Sequence, residues 1–157
     1  MSTVPPSEEV GSWLAAHGWF EGRDAGSEVE VLIEARIRDF REQGETLSLL
    51  ATAEAFLRSY GKLELPISET TGVRLILDPT GGYDEDAEDI VELANDLGQR
   101  LFPVGYETYE GGILLVDEVD RFFYLHHSGS YFLGEGALEM FANRLGGRTV
   151  AAEEFYV

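Results

Sequence analysis

The 157-residue chain has no cysteine, which excludes a disulfide framework, a thiolate metal site, a thiol nucleophile and a redox pair together. That absence is compatible with a reducing compartment, and a cytoplasmic location is the expectation. Basic residues are scarce: 11 Lys and Arg stand against 30 Asp and Glu, for a formal net charge of −19. Affinity for nucleic acid comes mainly from Lys and Arg neutralising phosphates, so this sign argues against a nucleic-acid partner and for one with a basic surface. No apolar run approaches the ~18 residues of a membrane-spanning helix, and no membrane partner is expected. The opening stretch from Met1 to Phe20 lacks the basic start and continuous apolar core of a secretory signal. With 44% hydrophobic residues, the chain has room for one domain over 1–157 with one substantial core.

Helical spacing dominates the first two thirds. Pro5 and Pro6 precede Ser7, a candidate N-cap, and Val10, Trp13, Leu14 and His17 follow up to Gly18. Ser27 and Glu30 have capping-box spacing around the start of a stripe of Val29, Ile33, Ile37 and Phe40, with Arg36, Arg38 and Arg41 on the other faces until Gly44. The β-branched start of this stretch fits a strand as well as a helix. A third helix carries Leu49, Ala53, Phe56, Leu57 and Tyr60 between a Ser48 cap and Gly61. Leu63 to Ile67 and Val73 to Leu77 read as strands. A fourth helix spans about Asp84 to Leu97 and stops at Gly98, with Ala87, Ile90, Val91, Ala94 and Leu97 inward. Ile113 to Val116 and Phe122 to Leu125 predict an antiparallel hairpin, and Tyr131 to Leu133 a further strand. Leu138, Phe141, Ala142 and Leu145 form the inward stripe of a closing helix ended by Gly146-Gly147. The order predicts an α+β domain, its mixed or antiparallel sheet in the second half packed against several helices.

Carboxylates concentrate between Asp78 and Asp96 without one Lys or Arg. At ~100° per residue, Glu85, Glu88, Asp89, Glu92 and Asp96 fall opposite the apolar side of the fourth helix. With Asp84 they form a candidate partner-binding stripe, in which like charges at i,i+4, such as Glu85 with Asp89, cost ~0.2–0.5 kcal/mol each. A solvated face of an acidic protein accounts for the same pattern. Calcium fits poorly, because the stretch from Asp78 to Asp86 lacks the spacing of an EF-hand loop. His126-His127, with His17 far away, does not make a metal site: strand neighbours point to opposite faces unless a turn intervenes. Turn chemistry explains Asp117, Glu118 and Asp120 better than an acid/base pair does. Ser128-Gly129-Ser130 lacks the context of a nucleophile elbow, and Gly81-Gly82, Gly111-Gly112 and Gly146-Gly147 match no nucleotide-binding loop. Trp13 and Trp19 read as packing residues. No catalytic residue, metal or cofactor is expected.

Taken in order, several short patterns resemble the third subfamily of the SUKH superfamily of bacterial toxin-immunity proteins. They begin with Gly18-Trp19 and Gly22-Arg23, continue through Phe56-Leu57, Tyr60-Gly61, Asp78-Pro79 and Leu101-Phe102-Pro103-Val104-Gly105, and end with Asp117-Glu118, Phe122-Phe123-Tyr124, Leu133-Gly134 and Ala137-Leu138. Lys62 and Asp120 stand where glycine is usual in that family. The resemblance implies an α+β fold with a mixed sheet and a non-enzymatic, cytosolic protein that binds and neutralises a cognate toxin. The toxin is expected to be basic and to act on nucleic acid. The alternative is a scaffold or regulator that binds an endogenous protein or peptide.

Overall fold

A computed structural model describes residues 7–109 and 111–157. Five α-helices and seven strands are present among them: α1 (Ser7–Ala16), α2 (Gly26–Glu42), α3 (Ala51–Tyr60), β1 (Glu64–Pro66), β2 (Arg74–Ile76), α4 (Asp86–Leu97), β3 (Leu101–Glu107), β4 (Ile113–Asp117), β5 (Arg121–His126), β6 (Gly129–Glu135), α5 (Ala137–Gly146) and β7 (Val150–Ala151), followed by a 3₁₀ turn at Ala152–Phe155. The strands form one sheet in chain order, β1 to β7, and all six pairings are antiparallel. Of the two arrangements expected, mixed or antiparallel, the sheet takes the second.

Both faces of this sheet are covered, which is why β4 is buried along its whole length. Phe122 and Phe123 are strand neighbours and point to opposite faces. Phe122 meets Phe56 of α3, whereas Phe123 meets Phe155 of the 3₁₀ turn. The first face continues through Phe56, Tyr60 and Phe141, with Trp13 edge-on to Phe141, so α1, α3 and α5 share it. The second face carries α4, whose Ile90, Leu93 and Leu97 are buried. Fully burying a Leu, Ile or Phe side chain is worth about 1.5–3 kcal/mol, and these two apolar layers fix the sheet between the helices.

Several local expectations need correcting. The Ser27–Glu30 capping box does not form: α2 starts at Gly26, both side chains are exposed, and Asp24 Oδ1 accepts from the Gly26 N–H at 2.8 Å instead. Ser48 does not cap α3, which begins after an extended Leu50. Arg36 is not on an outer face; it is 2% exposed and paired with fully buried Asp86. Val91 and Ala94 are only partly covered, Leu93 takes the inward position, and Leu138 of α5 faces outward. Pro5, Pro6 and the Ser7 side chain lie outside the described residues.

The residues that carry the family resemblance turn out to hold the fold. Gly18 and Gly22 adopt positive φ, 103° and 83°, and fold the chain back across the end of α3. Trp19 stacks on Tyr60 and donates to Ser59 Oγ. Arg23 donates to the carbonyls of Ser59 at 2.8 Å and Gly61 at 2.7 Å, capping the C-terminus of α3 with a cation where the helix dipole favours one.

Candidate partner-binding surface

The stripe begins at a strained corner. Glu85 takes a left-handed conformation (φ 67°) and precedes α4, so Asp84 and Glu85 lie in the turn ahead of the helix. Glu85 and Asp89 are therefore not a helical i,i+4 pair, which corrects the sequence expectation. Buried Asp86 pins the corner. Its carboxylate accepts from Arg36 Nη2 at 2.7 Å, Gln43 Nε2 at 3.1 Å and the Tyr83 N–H at 3.3 Å, while Gln43 Oε1 accepts from the Ala87 N–H. The pair thus ties α2 to the start of α4 and sets the direction in which α4 presents its outer face.

Glu88, Asp89 and Glu92 are exposed along that face and Asp96 is half-buried, as the helical phase predicts. The structure divides the six residues, however. Asp89, Glu92 and Asp96 line a groove of about 490 Å³ between α4 and the β5–β6 turn. Asp84 and Glu85 line a separate cleft beside Arg36, Asp39 and Gln43, and Glu88 borders neither.

On the β5–β6 side of the groove stand His126, His127, Gly129 and Ser130, and Leu93, Leu125, Tyr83 and Tyr156 are also among its lining residues. Tyr83 Oη donates to Asp89 Oδ2 at 2.6 Å. Burial and that carboxylate push the Tyr83 hydroxyl well above its ordinary range, so it stays a proton donor. Burial, then the charges of Asp96, Glu153 and Glu92, raises Tyr156 as well. The two histidines are not split across the sheet: His127 and Ser128 form the two-residue turn, and the imidazole centroids lie 3.8 Å apart. Among the described residues no group of three or more His, Asp or Glu is arranged to hold a metal ion.

Asp117 and Asp120 belong to a hairpin loop on another part of the sheet. Asp117 is fully buried, and its carboxylate accepts from the N–H groups of Val119 and Arg121 and from Arg121 Nε at 2.6 Å, which is loop closure. Glu118 pairs with Arg100. Lys62 and Asp120, the two departures from the glycine pattern, both hold left-handed backbone (φ 70° and 67°), so the loop geometry is kept without the glycine.

Sequence reasoning found the acidic wall because one helix carries it. It did not find the groove, whose other residues come from the turn before α4, the β5–β6 turn and the last residues of the chain. The signal available was the short gap between the expected strands Phe122 to Leu125 and Tyr131 to Leu133, which allows a turn at His127 and Ser128, although nothing local places that turn beside α4.

An antiparallel sheet packed on both faces, with the carboxylates of α4 bordering a groove also lined by tyrosines, defines an α+β protein. The chain belongs to the SUKH-3 immunity protein family, whose model matches residues 6–147. No curated protein and no solved structure matches it. Membership of an immunity family implies a toxin partner, and among the described residues no helix is long and apolar enough to cross a membrane.

Proposed function

We propose that this protein protects its cell by binding a cognate, basic, nucleic-acid-acting toxin in the cytosol and covering the toxin's active site or substrate-binding surface, with no catalysis of its own. The family match over residues 6–147 carries the reading. The net charge of −19 and the outward acidic face of α4 support the choice of a basic partner. Toxins that act on nucleic acid concentrate Lys and Arg around the site that holds the phosphates, and an anionic surface competes for the same positions. Asp84, Glu85, Glu88, Asp89, Glu92 and Asp96 are the residues assigned to this contact.

The test is co-expression with the product of the neighbouring gene. Growth rescue and a complex that survives purification are expected, and association should slow as salt is raised, since steering by exposed charge contributes about 10–10³-fold at low salt. Charge inversion of Glu85, Glu88, Asp89 and Glu92 together should slow capture. Absence of both rescue and complex would turn the assignment toward an endogenous partner.

A further inference from the structure

We infer that the groove between α4 and the β5–β6 turn is the anchor site for an arginine side chain on the protein partner; this deepens the toxin-binding reading and rests on it. Charge complementarity selects a cation. Three carboxylates form one wall, no Lys or Arg lines the groove, and the side chains of Glu92 and Asp96 have no hydrogen-bond or ion-pair partner among the described residues. The arginines that form ion pairs, Arg36, Arg58, Arg74, Arg100, Arg121 and Arg144, all engage carboxylates elsewhere. Among the described residues, no arginine or lysine pairs with the acidic wall.

The shape selects guanidinium over ammonium. Leu93 and Leu125, both buried, add apolar surface to the groove, and Tyr83 and Tyr156 add aromatic rings to its lining. A guanidinium is planar, stacks on aromatic faces, forks onto carboxylates and is more weakly hydrated than a lysine ammonium, so it enters such a site at lower desolvation cost. Both tyrosines are held in place. Tyr83 is bonded to Asp89, and Tyr156 is positioned by its neighbour Val157, whose N–H donates to Asp96 O at 2.9 Å while its side chain packs on Gly98. Tyr156 lies beyond the span of the family match, so this flank of the groove is built by the part of the chain outside the family pattern.

A division of labour follows. Glu85 and Glu88, outside the groove, accelerate encounter, and the groove sets residence time, because rim charges act mainly on association and enclosed charge pairs on dissociation. Two experiments test this on the full chain. In the first, N-acetyl-arginine-amide and N-acetyl-lysine-amide are titrated into labelled protein and amide shifts are followed by NMR. Saturable shifts at Leu93, Leu125, Ser130 and Tyr156 with the arginine probe, reduced about tenfold or more in apparent affinity by Glu92→Gln with Asp96→Asn, support the site. Equal response to the lysine probe, or shifts confined to Asp84, Glu85 and Glu88, overturns it.

In the second, the neighbouring gene's product is the partner and both rate constants are measured. Glu92→Gln with Asp96→Asn, and separately Tyr156→Ala, should raise dissociation about tenfold with association little changed, while Glu85→Gln with Glu88→Gln should do the reverse. Unpartnered side chains are removed in the first variant, and an unchanged circular dichroism spectrum confirms its fold. Wild-type dissociation rates in the groove variants overturn the anchor while leaving immunity intact. No complex with the wild-type chain overturns immunity, and arginine-probe binding in the first experiment then still supports the groove as a guanidinium site.

Discussion

Four non-glycine residues among those described, Lys62, Glu85, Tyr109 and Asp120, hold backbone that glycine would adopt without strain. Lys62 and Asp120 have left-handed φ, which costs an L-residue roughly 1–2 kcal/mol, less for Asp. Lys62→Gly should therefore stabilise the protein by up to about 1 kcal/mol, the unfolded chain's added freedom offsetting the rest; thermal or urea denaturation reads it directly. Asp120 carries a second burden. Burial, then the nearby Asp117 and Glu135 carboxylates, raises its proton affinity in the folded state. A carboxyl so raised binds more protons folded than unfolded, so stability falls as pH rises from the ordinary aspartate range through the raised value. Asp120→Asn should thus stabilise at neutral pH, and its advantage should vanish below the ordinary aspartate range. An advantage that grows on acidification would reverse the sign of this account.

At the scale of elements, the joints decide stability. Arg23 closes α3 through two carbonyls, and Arg23→Ala should cost about 1.5–3 kcal/mol, the range for charged hydrogen bonds. Asp86→Ala should cost up to about 3–5 kcal/mol, because it removes the fully buried partner of Arg36 and leaves the guanidinium only the half-exposed Asp39 to pair with. Denaturant titration of both variants measures these losses, and a cost near zero for Asp86→Ala would remove the joint between α2 and α4 from the stability account. Such joints are hard to see in a sequence. The helices, the β4–β5 hairpin and the outward phase of the carboxylates were legible because periodicity is local. β3 was not read as a strand because Pro103 interrupts it; the strand survives by bulging, pairing Pro103 with Leu115 but Gly105 with Leu114. The Ser27–Glu30 capping box and the Ser48 cap both failed because Asp24 and an extended Leu50 occupy the actual helix starts. Arg36 looked like a surface residue until its partner, fifty positions away, was buried beside it. The acidic wall of the groove was visible as a helix face; Tyr83, His126 and Tyr156 reach it only through tertiary folding.

For the molecule as a whole, a net charge of −19 makes salt act in two directions. Screening relieves self-repulsion, so the thermal midpoint should rise with added sodium chloride, whereas capture of a basic partner should slow over the same range. A midpoint that fell with salt would mean that the ion pairs outweigh the repulsion. The seven strands lie side by side in the order in which they are synthesised. Each strand after the first pairs with the strand made just before it, with α4 the largest insertion between neighbours, so the loop closures within the sheet are short, whereas the packing of α1 on α5 waits for the far end of the fold. A chain wired this way can assemble its sheet progressively as it leaves the ribosome.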